Sequence, residues 1–233
     1  MKQVDKGILI HRHNYSESSL IITFYTYKNG VQKYISKGIK KKSGNLIPLG
    51  LYELSFYKKP SNDLGSLSNI TQIKQHYAIS SNPLKQITCF FIADLLRQTQ
   101  KTQTEDIETF IFISNYIDKL DNEKDLNSFV CIFLLEYLDF LGITPLLENK
   151  NANCFDIEKG VFIYHNKKSD TRIINEAVNS IINFYKYNKD QIKYSNINNS
   201  KEILTILLKY LSIHIPNFDM NKSIKIIREI IYE

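Results

Sequence analysis

The sequence predicts an α+β chain, strands first and helices after, and three observations predict it. Apolar and polar residues alternate through "SLIITFYTY"; an Asn29-Gly30 pair follows at once; and from Pro83 onward the apolar spacing lengthens to that of helices. These divide the chain into a five-stranded barrel over residues 1–80 and an all-helical domain over 81–233, with a short hairpin insertion near 154–165.

The elements follow in order. "GILIHRH" opens the first strand. In the second, Leu20, Ile22 and Phe24 share one face and Thr23, Tyr25 and Tyr27 the other, as a half-buried strand requires. Asn-Gly favours a tight hairpin turn because both residues tolerate positive φ, and "VQKYISK" returns as the partner strand. "LIPLGLYELSFYKK" predicts a longer fourth strand and "LGSLSNITQIKQ" a fifth. Closure of five short strands removes exposed edges, so an OB-fold barrel is the expected arrangement.

Pro83 suits a first helical turn, where its missing N–H has no partner to lose. In "PLKQITCFFIADLLRQTQ" the residues Ile87, Phe90, Phe91 and Leu95 form an apolar stripe interrupted by Asp94. Thr104 is the expected N-cap of the helix "TEDIETFIFISNYIDKL". "LNSFVCIFLLEYLDFLG" is apolar on most faces, which predicts a buried helix ending at Gly142. A hairpin is expected around Glu158-Lys159-Gly160. Three more helices are expected near 171–187, 200–215 and 219–232.

Composition narrows the function. With 43% hydrophobic and 23% charged residues the chain reads as an ordinary globular protein. No apolar run approaches the roughly 18 residues that span a bilayer, and "MKQVDKGILIHRH" lacks the core of a signal peptide. A cytoplasmic protein without membrane attachment is expected. Cys89, Cys131 and Cys154 are odd in number and scattered, which supports neither a disulfide framework nor a standard zinc site. Cys89 and Cys131 lie in apolar helical surroundings and are read as buried structural thiols.

Enzyme motifs are missing: no glycine-rich phosphate loop, nucleophile elbow or His-Glu-x-x-His occurs. His11 and His13 share a strand face at a spacing that suits a metal. Without a third ligand nearby they read as a solvated pair. Neither a catalytic site, a cofactor nor a metal is expected.

Charge points elsewhere. Lys and Arg number 30 against 24 Asp and Glu, a net charge of +6, and no acidic residue occurs between Ser18 and Tyr52. Lys28, Lys33, Lys37, Lys40, Lys41 and Lys42 all fall inside that window. Lys33 and Lys37 share a strand face, and the loop at 40–42 extends their charge. Cations gathered on one surface hold a phosphate backbone, because each neutralised phosphate releases condensed counterions. Tyr25, Tyr27 and Tyr34 on neighbouring strands add candidate base-stacking rings. Arg12 with the six lysines and Tyr34 are therefore the candidate nucleic-acid contacts.

The residues also resemble those of a known family. "GILIHRHNYSESSLIITFYTYKNGVQKYISKGIKKKSG" is similar to the opening of the RecO family of bacterial recombination mediators, at Arg12, Tyr15, Glu17, Thr26, Gly30, Lys37, Gly38 and Ser43. "LLEYLDFLGITPLL", "FDIEKGVF" and "MNKSIKIIREI" resemble its later segments.

The resemblance implies an OB-fold followed by helices. It also implies a nucleoid-associated protein that binds single- and double-stranded DNA, anneals complementary strands and, with RecR, helps load RecA onto DNA coated by single-stranded DNA-binding protein. The acidic tail of that coating protein would dock on the helical domain, with Arg97 and Lys101 as candidate contacts. Many members carry a four-cysteine zinc module; only Cys154 stands there in this chain, near His165, so no structural zinc is expected. The competing reading is a non-enzymatic protein-interaction scaffold whose basic loop is only solvated charge.

Overall fold

The computed structural model describes residues 1–37, 46–59, 62–165, 171–186, 197 and 199–232. Strands β1 (Gln3–Asn14), β2 (Ser19–Thr26), β3 (Gly30–Lys37), β4 (Leu51–Tyr57) and β5 (Leu64–Gln72) close into a barrel in the order β1-β2-β3-β5-β4. Every pairing is antiparallel except β3 with β5, where Lys33, Tyr34 and Ile35 run parallel to Leu64, Gly65 and Ser66. The predicted OB-fold-like barrel followed by helices is the fold.

The alternation read in β2 sorts its side chains. Leu20, Ile22 and Phe24 enter a core with Leu9, Tyr34, Leu46, Tyr52, Leu54, Phe56 and Leu67. Tyr34 stands over Gly65, where a Cβ would come within 2.7 Å of its ring, so only glycine leaves room.

Two local expectations change. The β2–β3 connection is a three-residue loop, with Thr26 paired to Gly30. Positive φ occurs at Gly30 (59°) and not at Asn29, the conformation in which a turn ends on one left-handed residue. Thr26 holds it: its hydroxyl donates to the Gly30 carbonyl at 2.9 Å and accepts from the Asn29 N–H at 3.2 Å. The fourth strand begins only at Leu51, because residues 47–50 form a turn. Leu49 is buried there at a φ of 61° and its N–H donates to the Leu9 carbonyl.

Three helices follow: α1 (Tyr77–Ser81), α2 (Pro83–Thr99) and α3 (Ile107–Asn122). The Asn82 side chain caps α2 by accepting from the Leu84 and Lys85 N–H groups. Asp106, not Thr104, caps α3, accepting from the Thr109 N–H at 3.1 Å. Asp106 also accepts from the Tyr25 hydroxyl at 3.0 Å, a tertiary contact that no helix-start rule contains. Thr104 and Thr102 instead present their carbonyls to the β2–β3 loop, and Val31 N–H donates to Thr102.

The barrel and these helices form one compact unit, Met1–Asn122 with Met220–Ile227. The switch from strands to helices near residue 80 is thus a different boundary from the one between compact units. The second unit is Glu123–Asp219 with Arg228–Glu233. It contains α4 (Leu126–Phe140), a small sheet of β6 (Leu146–Leu147), β7 (Cys154–Asp156), β8 (Val161–Ile163) and β9 (Arg172–Ile173), then α5 (Glu176–Lys186) and α6 (Ser200–His214). Helix α7 (Asn221–Ile231) is divided between the units.

As its sequence predicts, α4 is buried on most faces, with Asp125 as its N-cap. The expected hairpin turns at Gly160, where φ is 68°. It forms the middle of a four-stranded sheet whose outer strands, two residues each, are too short to leave a periodic signal. Among the described residues no helix is long and apolar enough to cross a membrane.

Candidate nucleic-acid interface

Strand β3 buries Gln32, Tyr34 and Ser36 and turns Lys33 and Lys37 outward. Its register with β2 sets Lys33 beside Thr23 and Lys37 beside Ser19. In the next pairing Thr23 lies beside His11, and Ile21 beside His13. The outward rows therefore cross three strands, ending on two histidines whose ring centroids are 5.5 Å apart.

The C-terminal end of α2 and the chain just after it form the opposite wall of a groove of about 560 Å³. Arg97, Gln100, Lys101 and Gln103 line that wall, facing His11, His13, Thr23 and Lys33, with Ile10, Ile21, Val31 and Leu64 supplying apolar surface. Arg97 is oriented by Asp94, one helical turn earlier, at 2.6 Å, and Asp94 is bonded in turn to the Ser223 hydroxyl. His11 is held below its ordinary pKa, first by partial burial, then by the Arg97 charge and by His13, with Lys33 adding to the effect and Asp94 opposing it. The groove is thus a cationic cleft with apolar patches.

The residues singled out in the sequence divide on inspection. Lys33 and Lys37 are exposed on one face, as expected, and Lys33 shares its groove with Arg97 and Lys101. Lys28 sits at the other end of the strand pair, where its Nζ donates to the Val4 carbonyl and its N–H to Asp5. Arg12 is exposed but pairs with Ile22, a core-facing residue, so it points away from the side that carries His11 and His13. Lys40, Lys41 and Lys42 lie outside the described residues.

Tyr34 is corrected. It is 0% exposed, its ring lies 4.8 Å from that of Phe56, and its hydroxyl has no hydrogen-bond partner among the described residues. It cannot stack on a base. The alternation that sends Lys33 and Lys37 outward sends Tyr34 inward, a signal present in the sequence. Tyr25 is also 0% exposed, stacked on Phe110 of α3, and Tyr27 meets the same ring edge-on. An exposed ring near the open face is Tyr15, 63% exposed, whose N–H donates to Ser19, the partner of Lys37.

The three thiols are buried. Burial pushes Cys89 and Cys131 up to about 12 and raises Cys154 as well. The Nε2 of His165 is 2.5 Å from an Arg172 guanidinium nitrogen. Among the described residues no three His, Cys, Asp or Glu side chains gather where they would hold a metal.

A closed OB-like barrel with outward lysines, backed by helices, defines a class: a basic barrel protein. The chain matches the family model described as "Recombination protein O N terminal" over residues 1–76 and the one described as "Recombination protein O C terminal" over residues 81–223. It belongs to the RecO family. Similar curated proteins include the DNA repair protein RecO of Flavobacterium johnsoniae, 23% identical with 97% of each chain covered. That of Flavobacterium psychrophilum is 25% identical over the same shares. That of Phocaeicola vulgatus is 23% identical with 99% of each chain covered.

Proposed function

We propose that the chain is a non-enzymatic recombination mediator of DNA repair in the bacterial cytoplasm, working at the nucleoid. It binds single- and double-stranded DNA, anneals complementary strands and, with RecR, assists RecA loading on DNA coated by single-stranded DNA-binding protein. The observation that carries this reading is the outward pair Lys33 and Lys37 on an OB-like barrel, in a chain of the RecO family. Phosphate contacts position a strand without reading its bases. A surface of that kind lowers the repulsion between two strands while leaving their bases free to pair, which is what annealing needs.

The test is a fluorescence-anisotropy titration of a labelled single-stranded oligonucleotide across a salt series. The wild type is compared with a variant carrying Lys37→Ala, Lys40→Ala, Lys41→Ala and Lys42→Ala. The wild type is expected to bind with a logarithmic salt slope of about −0.7 per phosphate contact. The folded variant should lose affinity and part of that slope. Equal binding by both proteins, or a flat salt response, favours the protein-interaction scaffold instead.

A further inference from the structure

The cationic groove contains more than point charges. Lys33 of β3, His11 and His13 of β1, and Arg97 and Lys101 at the end of α2 converge on one cleft, and Thr23, Gln100 and Gln103 add neutral polar groups. Asp94, the carboxylate that acts on His11 from α2, is already engaged by Arg97 and by Ser223.

We propose that this groove seats a phosphodiester segment of single-stranded DNA, with Lys33, Arg97 and Lys101 on the phosphates and His11 making the contact proton-linked. The proposal rests on the DNA-binding reading above and adds where the strand lies and how its grip depends on pH.

Two features of the cleft fit this ligand. A nucleotide chain presents both anionic oxygens and the apolar faces of sugars, and the cleft is lined by both cations and the apolar Ile10, Ile21, Val31 and Leu64. The second feature is the electrostatic position of His11. In the free protein it faces Arg97 and Asp94 from α2, His13 on its own strand and Lys33 from β3, and its charged form is disfavoured. A phosphate placed among these cations brings opposite charge to the same spot, which favours the imidazolium. A group that gains protons when ligand binds makes binding tighter as pH falls, by linkage. Lysine and arginine, charged throughout that range, give no such dependence.

The experiment is calorimetric titration of the full chain with an oligothymidylate in two buffers of different ionisation enthalpy. Wild type is compared with the pair His11→Gln, His13→Gln and with the pair Arg97→Ala, Lys101→Ala, each checked for folding by circular dichroism. The wild type should take up protons on binding. The histidine pair should match it near about pH 8, fall behind near about pH 6 and show no uptake. The Arg97→Ala, Lys101→Ala pair should bind on the order of tenfold more weakly at both values.

Wild-type binding without proton uptake overturns the proposal while leaving the DNA-binding reading standing, and this arm needs no variant to fold. So does full oligonucleotide affinity in the Arg97→Ala, Lys101→Ala pair. If that pair instead loses an acidic peptide and keeps the oligonucleotide, the groove belongs to a protein partner. Absence of any oligonucleotide binding by the wild type overturns the DNA-binding reading itself.

Discussion

The outward faces of β2 and β3 follow one alternation from end to end, yet their two ends have different fates. At the Gly30 end Tyr25 and Tyr27 are covered by Phe110, and the carbonyls of Thr102 and Thr104 close over the turn. Toward the other end, Lys33, Lys37, His11 and His13 stay exposed. What separates them is the path of the chain between α2 and α3, which closes over the Gly30 end and at the other end only walls an open groove. A strand's pattern names its two faces; its neighbours decide which parts of a face meet water.

The largest effect should come from breaking the covered end. Tyr25→Ala removes a ring stacked on Phe110 and a hydroxyl donating to Asp106, and is expected to cost about 3–5 kcal/mol in urea denaturation. A wild-type midpoint would mean that the ring is not buried there. Gly30→Ala comes next. Its Cβ would lie 2.4 Å from the Thr104 carbonyl at a φ of 59°, so a loss of at least about 1–2 kcal/mol is expected by the same method.

Asp106→Ala removes the α3 cap and the acceptor of the Tyr25 hydroxyl, for about 1 kcal/mol near neutral pH. Partial burial pushes the Asp106 carboxyl up, but hydrogen bonds from Thr109 and Tyr25 outweigh it and hold the pKa below the usual value. A carboxylate depressed on folding stabilises above its unfolded pKa and loses that contribution as pH falls through the folded one. The gap between variant and wild type, read from thermal unfolding, should therefore narrow below about pH 4. A gap independent of pH would remove the charge from the account.

Tyr34→Phe has the opposite sign. Deleting a buried hydroxyl that has no partner among the described residues should raise stability by up to about 1 kcal/mol and leave oligonucleotide affinity unchanged. Lost affinity would restore Tyr34 as a contact. Smallest in stability is Lys37→Ala at the open end, expected within about 0.5 kcal/mol of wild type. Its readout is the salt slope of DNA binding, which should fall by about 0.7.

Much of the fold was legible because its signals are local. Period-2 spacing put Leu20, Ile22 and Phe24 in the core, and helical spacing with Pro83 and Gly142 marked α2 and the end of α4. The candidate site was legible only in part. Strand spacing turns Lys33 and Lys37 outward, and the same parity turns Tyr34 inward even though its residue type suits a base platform. His11 and His13 are exposed, as a solvated pair should be, but that Arg97 and Lys101 line the same groove is not legible, because they lie more than 80 residues along the chain.

By itself the sequence determined the barrel strands, most helix spans, the concentration of lysine in residues 28–42 and the resemblance to one family. Each depends on residues near one another in the chain, where sterics and periodicity act directly. Only the tertiary structure decided that Asp106 rather than Thr104 caps α3, that Tyr25 is covered, and that a cationic groove joins β1, β3 and α2. Those outcomes depend on contacts such as Tyr25 with Asp106, 81 residues apart. No local spacing encodes a pairing of that range, because it exists only once the barrel has closed and the helices have packed on it.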